Sequence, residues 1–182
     1  MFLHGNHEMR PESIPTYQKT YSAQIQGYVY REDRHPSLNF AVDGETYLLD
    51  GNRVLVCGGA YSVDKEYRLL RSWSWWPDEQ PSDAIKLRVE EEIAKQGGEV
   101  DYILTHTCPL RFQPTEVFLP MIDQSKVDKS TEIWLDSIYD KVACKTWFCG
   151  HFHVDKKDNN VRFMYEDIVS LSLPLEGGEC YG

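Results

Sequence analysis

No run of apolar residues in this 182-residue chain is long enough to cross a bilayer, and its N-terminus lacks the basic start and apolar stretch of a secretory signal. Neither a membrane-spanning nor an exported protein is expected, and the chain reads as cytoplasmic. Basic excess is also missing. Nineteen Lys and Arg face 29 Asp and Glu, for a net charge of −10. An acidic surface repels phosphate backbones, which argues against non-specific nucleic-acid binding. A small anionic substrate stays compatible if metal cations neutralise it locally. There is no CxxC pair and no close finger spacing among Cys57, Cys108, Cys144, Cys149 and Cys180. Two of these sit in apolar, strand-like runs, so they read as small buried thiols in a reducing compartment. A glycine-rich phosphate loop of the P-loop kind is absent, which disfavours nucleotide hydrolysis by that route. Without repeats, low-complexity tracts or linkers, residues 1–182 read as one domain.

The elements that are present come in a mixed order. Pro11, Pro15 and many polar groups make 11–24 a loop. Leu38 to Val42, Thr46 to Leu49 and Arg53 to Cys57, separated by Asp43-Gly44 and Asp50-Gly51, read as a three-strand meander. Lys65 to Arg71 reads as a short helix running into Trp73, Trp75 and Trp76, which suit a satellite core better than a lid. Ser82 is a plausible cap for a helix with Ile85, Val89 and Ile93 on one face, ended by Gly97-Gly98. Val100 to Thr105 is a buried-type strand. A second helix spans Thr131 to Ala143, with Ser130 as candidate cap and Trp134, Ile138 and Val142 as its inward stripe. Lys145 to Cys149, Val161 to Tyr165 and Ile168 to Leu173 are further strands, the last two as a terminal hairpin. Sheet and helix in packed layers, an α+β architecture, fit this order best.

Three predicted strands end at histidines or run into them. Gly5-Asn6-His7-Glu8 opens the chain behind only Phe2-Leu3-His4, the strand at 100–105 stops at His106, and that at 145–149 stops at Gly150-His151-Phe152-His153. Ligands gather outside the carboxyl ends of strands. In extended chain, His151 and His153 point to the same side, while Phe152 points to packing. Neutral imidazole suits Mn, Fe or Zn better than Mg or Ca. His4 is as readily packed as substrate-facing, and His35, in a polar loop before Pro36, reads as a surface residue.

These three motifs, in this order and each after a strand, resemble the later motifs of the calcineurin-like metallophosphoesterases. Gly58-Gly59-Ala60-Tyr61-Ser62-Val63-Asp64 and Trp75-Trp76-Pro77-Asp78-Glu79 are similar to the bacterial and prophage-type branch. The resemblance implies a layered α/β/β/α sandwich with mixed sheets. It implies Asn6, His106 and His151 as ligands of one metal of a two-metal pair and His153 as a ligand of the other. His7 would be the catalytic group at the leaving-group oxygen, and Glu8 a support for the loop. The implied activity is hydrolysis of phosphate mono- or diesters by a metal-bound hydroxide. The family's opening Asp-x-His and Gly-Asp motifs do not occur here. An N-terminal βαβ portion, roughly 30 or more residues, is therefore expected to be missing, with two-metal occupancy reduced to one ion or none. Exposed sheet edges would then be covered by self-association or a partner chain. The alternative reading is a truncated, catalytically impaired domain acting in binding or assembly.

Overall fold

The computed structural model describes residues 1–171. A three-stranded antiparallel sheet runs β1 (Gln18–Ser22), β2 (Gly27–Arg31) and β3 (Phe40–Ala41). A six-stranded mixed sheet has the order β4 (Thr46–Leu49), β5 (Asn52–Cys57), β6 (Tyr102–Thr105), β7 (Thr146–Cys149), β9 (Val161–Phe163) and β8 (Lys156–Asp158). Pairings among β5, β6, β7 and β9 are parallel, and both edge strands are antiparallel. Helices α1 (Lys65–Leu70), α2 (Asp83–Lys95) and α3 (Ser130–Tyr139) complete the layered α+β architecture.

The apolar pattern explains the layers. Leu55, Ile103, Trp147 and Val161 face one side of the mixed sheet, where Ile85, Val89 and Ile93 of α2 and Trp134, Leu135 and Ile138 of α3 cover them. Val54, Val56, Tyr102 and Phe148 face the other side and pack with Val29 and Ala41 of the smaller sheet. Strands that bury both faces read as continuous apolar runs, as β5, β6 and β7 do. Ser82 caps α2 by accepting from the Ile85 amide at 3.4 Å. Ser82→Ala is expected to cost about 1 kcal/mol, measurable as a lower urea midpoint at unchanged slope.

Several expectations need correction. The loop at 11–24 contains a 3₁₀ turn and β1, which pairs with β2 in register from Gln18↔Arg31 to Ser22↔Gly27. Its exposed polar residues hid the strand, because cross-strand pairing rather than burial holds it. The meander is divided: β3 pairs with β2, while only β4 and β5 form a hairpin. Asp43-Gly44 is therefore the crossing between sheets, and the Asp43 side chain is buried. The second helix ends at Tyr139, so Val142 is buried beyond it, and Ser130 is its first residue after Lys129. The terminal hairpin is β8–β9; residues 168–171 form no strand, and the rest of that expected strand lies outside the described residues. Among the described residues, no helix is long and apolar enough to cross a membrane.

Candidate active site

Register places the site. Cys57, Thr105, Cys149 and Phe163 are aligned across the parallel strands, so the chain leaves each of β5, β6 and β7 at one rim. Gly58, His106 and Gly150 are the next residues in each case. Two amide hydrogen bonds continue the alignment: Gly150 N donates to His106 O at 2.9 Å, and His106 N to Cys57 O at 3.3 Å. Beneath them, Trp147 Nε1 donates to Thr105 Oγ1 at 2.7 Å, which fixes the strand end that presents His106.

The opening loop reaches this rim from the other layer. Phe2 makes a single parallel bridge to Phe40, with amide bonds to and from Asn39 and Ala41, so the segment before Gly5 rides on β3. Glu8 accepts from the Gly5 amide and supports the loop, as its position suggested. Asn6 is buried, and its Oδ1 lies 2.9 Å from His106 Nε2. Its Nδ2 donates to Ser62 Oγ at 2.8 Å. A Cβ at Gly5 would stand 3.0 Å from His106 Cε1, so any larger residue there would push on the ring.

His106 and His151 meet edge to face, with ring centroids 5.1 Å apart. Burial, then the nearby histidines, pushes His106 down to about 3; burial followed by His153 pushes His151 down to about 4. Both rings are thus neutral at physiological pH, with lone pairs to offer. His151 and His153 adopt left-handed backbone, φ 69° and 52°, which turns the chain sharply after Gly150. His153 is exposed and stacks on Tyr165 at 5.1 Å. The strand-like i, i+2 geometry expected for this pair is therefore replaced by a turn.

His7 is half-exposed beside them. Arg68 donates from its terminal nitrogen to His7 Nδ1 at 2.8 Å, and Asp64 Oδ1 lies 3.4 Å from Nε2. A guanidinium has no acceptor, so Nδ1 must accept and the neutral ring carries its proton on Nε2. Arg68 is itself held by Asp64 Oδ2 at 2.9 Å. Asp64 and Arg68 were not singled out from sequence, although Asp64 closes the Gly58–Asp64 motif; their four-residue spacing at the start of a helix was the available signal.

Behind the rim sits a buried ionic cluster. Asp43 pairs with Arg10, lies 3.1 Å from His4 Nε2 and accepts from the Gly58 amide at 2.6 Å. Burial alone would raise its pKa, but the His4 hydrogen bond and the charges of His4 and Arg10 hold it below the usual carboxylate range. His4 is accordingly a packed residue, and His35 is exposed as expected. Gly59, at φ 89°, packs so closely on the Glu79 carbonyl that no Cβ would fit. Glu79 also accepts from the Ser62 amide at 3.1 Å and Trp75 Nε1 at 2.8 Å. The two segments quoted for the finer resemblance thus lock to each other.

Cys108 takes no part in this chemistry: its hydrogen bond with Cys149, then burial, pushes its thiol far up. Asn6, His7, His106, His151 and His153 all line one cavity of about 720 Å3. Among the described residues, no group of three or more His, Cys, Asp or Glu stands in metal-holding geometry. Asn6 adds an amide oxygen to the ring nitrogens at this rim. Asn6 Oδ1 and His106 Nε2 face each other across a 2.9 Å hydrogen bond, and an ion taken between them would replace the Nε2 proton.

The model of the calcineurin-like phosphoesterases matches residues 1–155. The chain belongs to this family. Metal-dependent phosphoester hydrolysis is the chemistry that calcineurin-like phosphoesterases share, and the histidine rim lies wholly within the matched residues. No curated protein and no solved structure gives a significant match.

Proposed function

We propose that this calcineurin-like phosphoesterase hydrolyses phosphate mono- or diesters at the histidine rim. Asn6, His106 and His151 hold one divalent ion of the Mn, Fe or Zn type, His153 serves a second, and His7 serves the leaving-group oxygen. The observation carrying this reading is the convergence of Asn6 Oδ1 on His106 Nε2 at 2.9 Å, with the His151 ring beside them. Bound divalent cations supply Lewis-acid activation and charge neutralisation for the phosphate. The chain's own groups supply the rest. Ser62 orients Asn6, Gly5 lets the His106 ring approach, and Arg68 fixes the His7 tautomer. Nε2 of His7 has only the long 3.4 Å contact with Asp64, so its N–H is free to hydrogen-bond to the leaving-group oxygen and stabilise the charge that develops there.

A second reading, a domain that binds without turning over, is favoured by one observation. His153 stands exposed on Tyr165, leaving the second ion few donors from the described residues. Metal loading separates the two. After incubation with Mn or Zn, the phosphoesterase reading expects bound ion and hydrolysis of p-nitrophenyl phosphate or its bis ester. His106→Ala should remove most of the bound metal and the activity together. Metal bound without any turnover would leave the second reading.

A further inference from the structure

The cavity runs on past the histidines along the segment that joins β6 to α3. His151 meets Phe152 edge to face, with ring centroids 5.0 Å apart, and Phe118 stacks on Phe152 at 6.1 Å. Those two contacts tie the segment to the histidine rim. Val117, Leu119, Ile122 and Val127 line the same cavity. Leu119 is also 58% exposed, so the apolar wall reaches the mouth, and Met121 just beyond it is 92% exposed. The charged side chains of residues 113–127 are engaged elsewhere. Glu116 pairs with Lys156 at 2.5 Å and Asp123 with Lys126 at 3.7 Å, and none of these lines the cavity. Among the described residues, no lysine or arginine lines it at all. Apolar surface facing water is favourable to cover, and such surface next to a polar site marks where the rest of a ligand packs. A phosphate at the histidines would leave most of the cavity of about 720 Å3 to that remainder.

Resting on the phosphoesterase reading, we propose that residues 117–127 form the subsite for the alcohol part of the ester, and that this part is an uncharged hydrocarbon group. With the phosphate at the histidines, the hydrocarbon lies along Val117, Phe118 and Ile122, and its far end reaches Leu119 at the mouth. A leaving group carrying a second phosphate or a carboxylate would meet no cation on that wall. A sugar would leave most of its hydroxyls without partners there, since Gln113 and Gln124 are the polar side chains this segment brings to the lining.

Phenyl phosphate and para-butylphenyl phosphate test this, because their phenols are of similar acidity and differ in a hydrocarbon tail remote from the ester oxygen. With metal-loaded protein, kcat/KM should favour the butyl ester by about tenfold or more, since each buried methylene is worth up to about fourfold. An ester with a carboxyethyl group in place of the butyl tail should do no better than phenyl phosphate. Ile122→Asn should cut the butyl preference by about threefold or more, and Leu119→Asn, at a more exposed position, serves if that variant does not fold. Equal kcat/KM for the phenyl and butyl esters overturns the proposal. So does a carboxyethyl ester as good as the butyl one, or a preference unchanged in the folded variant. If no ester is hydrolysed, the phosphoesterase reading fails and binding to the metal-free protein decides the subsite. There para-butylphenol should shift the Ile122 methyl resonance, assigned through Ile122→Val, much more than phenol does at equal concentration. Equal shifts from the two phenols, or none, overturn the subsite.

Discussion

His7→Ala is expected to lower kcat by roughly 10²- to 10⁴-fold, the usual range for a positioned proton donor, while the metal content of the protein stays at the wild-type level. The geometry separates the two quantities. His7 is half-exposed, with Arg68 on one ring nitrogen and Asp64 near the other, and makes no contact with His106 or Asn6 through its nitrogens. Its loss therefore leaves the convergence of Asn6 and His106 intact. Since the alanine side chain opens space at an exposed position, the melting temperature should barely move. Metal analysis beside steady-state kinetics is the measurement. A variant that lost metal along with activity would show His7 to be a ligand, and one that kept its activity would remove it from the chemistry. Arg68→Ala should give a smaller fall in kcat, because the ring would remain but could take the wrong tautomer.

Asp43→Asn should destabilise the fold by about 3–5 kcal/mol, the cost of breaking one side of a buried ion pair. Arg10 is 4% exposed and would be left without its carboxylate, with the backbone carbonyls of Asp78 and Glu79 and the His4 ring as its remaining partners. The Gly58 amide and His4 would lose an anion as well. The effect has a pH signature. The folded Asp43 carboxyl has a pKa below the ordinary value near 3.8, so the folded state binds fewer protons there than the unfolded state. That stability is complete above the ordinary value and is lost as the pH falls through the lower folded one. Denaturant titrations at neutral pH and at points between pH 4 and pH 2 should show a steep acid limb in the wild type. In Asp43→Asn the limb should be shallower, on a lower plateau. An unchanged midpoint at neutral pH would mean that the cluster contributes little to the fold.

How much of this was readable beforehand depends on whether the signal is local. The apolar runs at 53–57, 100–105 and 145–149 identified the central strands, because strands buried on both faces are mostly apolar. The Ile85, Val89 and Ile93 spacing identified the covering helix for the same reason. β1 was missed because Gln18, Lys19 and Thr20 are exposed and carry no burial pattern. Asp43-Gly44 looked like a hairpin turn, and nothing nearby in sequence distinguishes a turn aspartate from one that pairs with an arginine 33 positions earlier. The candidate ligands were legible as histidines at strand ends. Their tautomers, their burial and the turn at His151 and His153 were not.

Residue type and order carried the resemblance to the calcineurin-like phosphoesterases: an Asn-His pair, then a His and a His-x-His at the ends of two strands. Those motifs are short and local, so they are legible without the fold. Tertiary structure decided what those residues can do. Parallel register brings His106 and Gly150, 44 positions apart in the chain, to one rim. Packing of the smaller sheet delivers Asn6 to the same point, and a bond from Thr107 ties Glu132 of α3 to the chain just past His106. Each of these rests on contacts between residues far apart in the chain, and pairings at such distances are fixed only when the whole core closes.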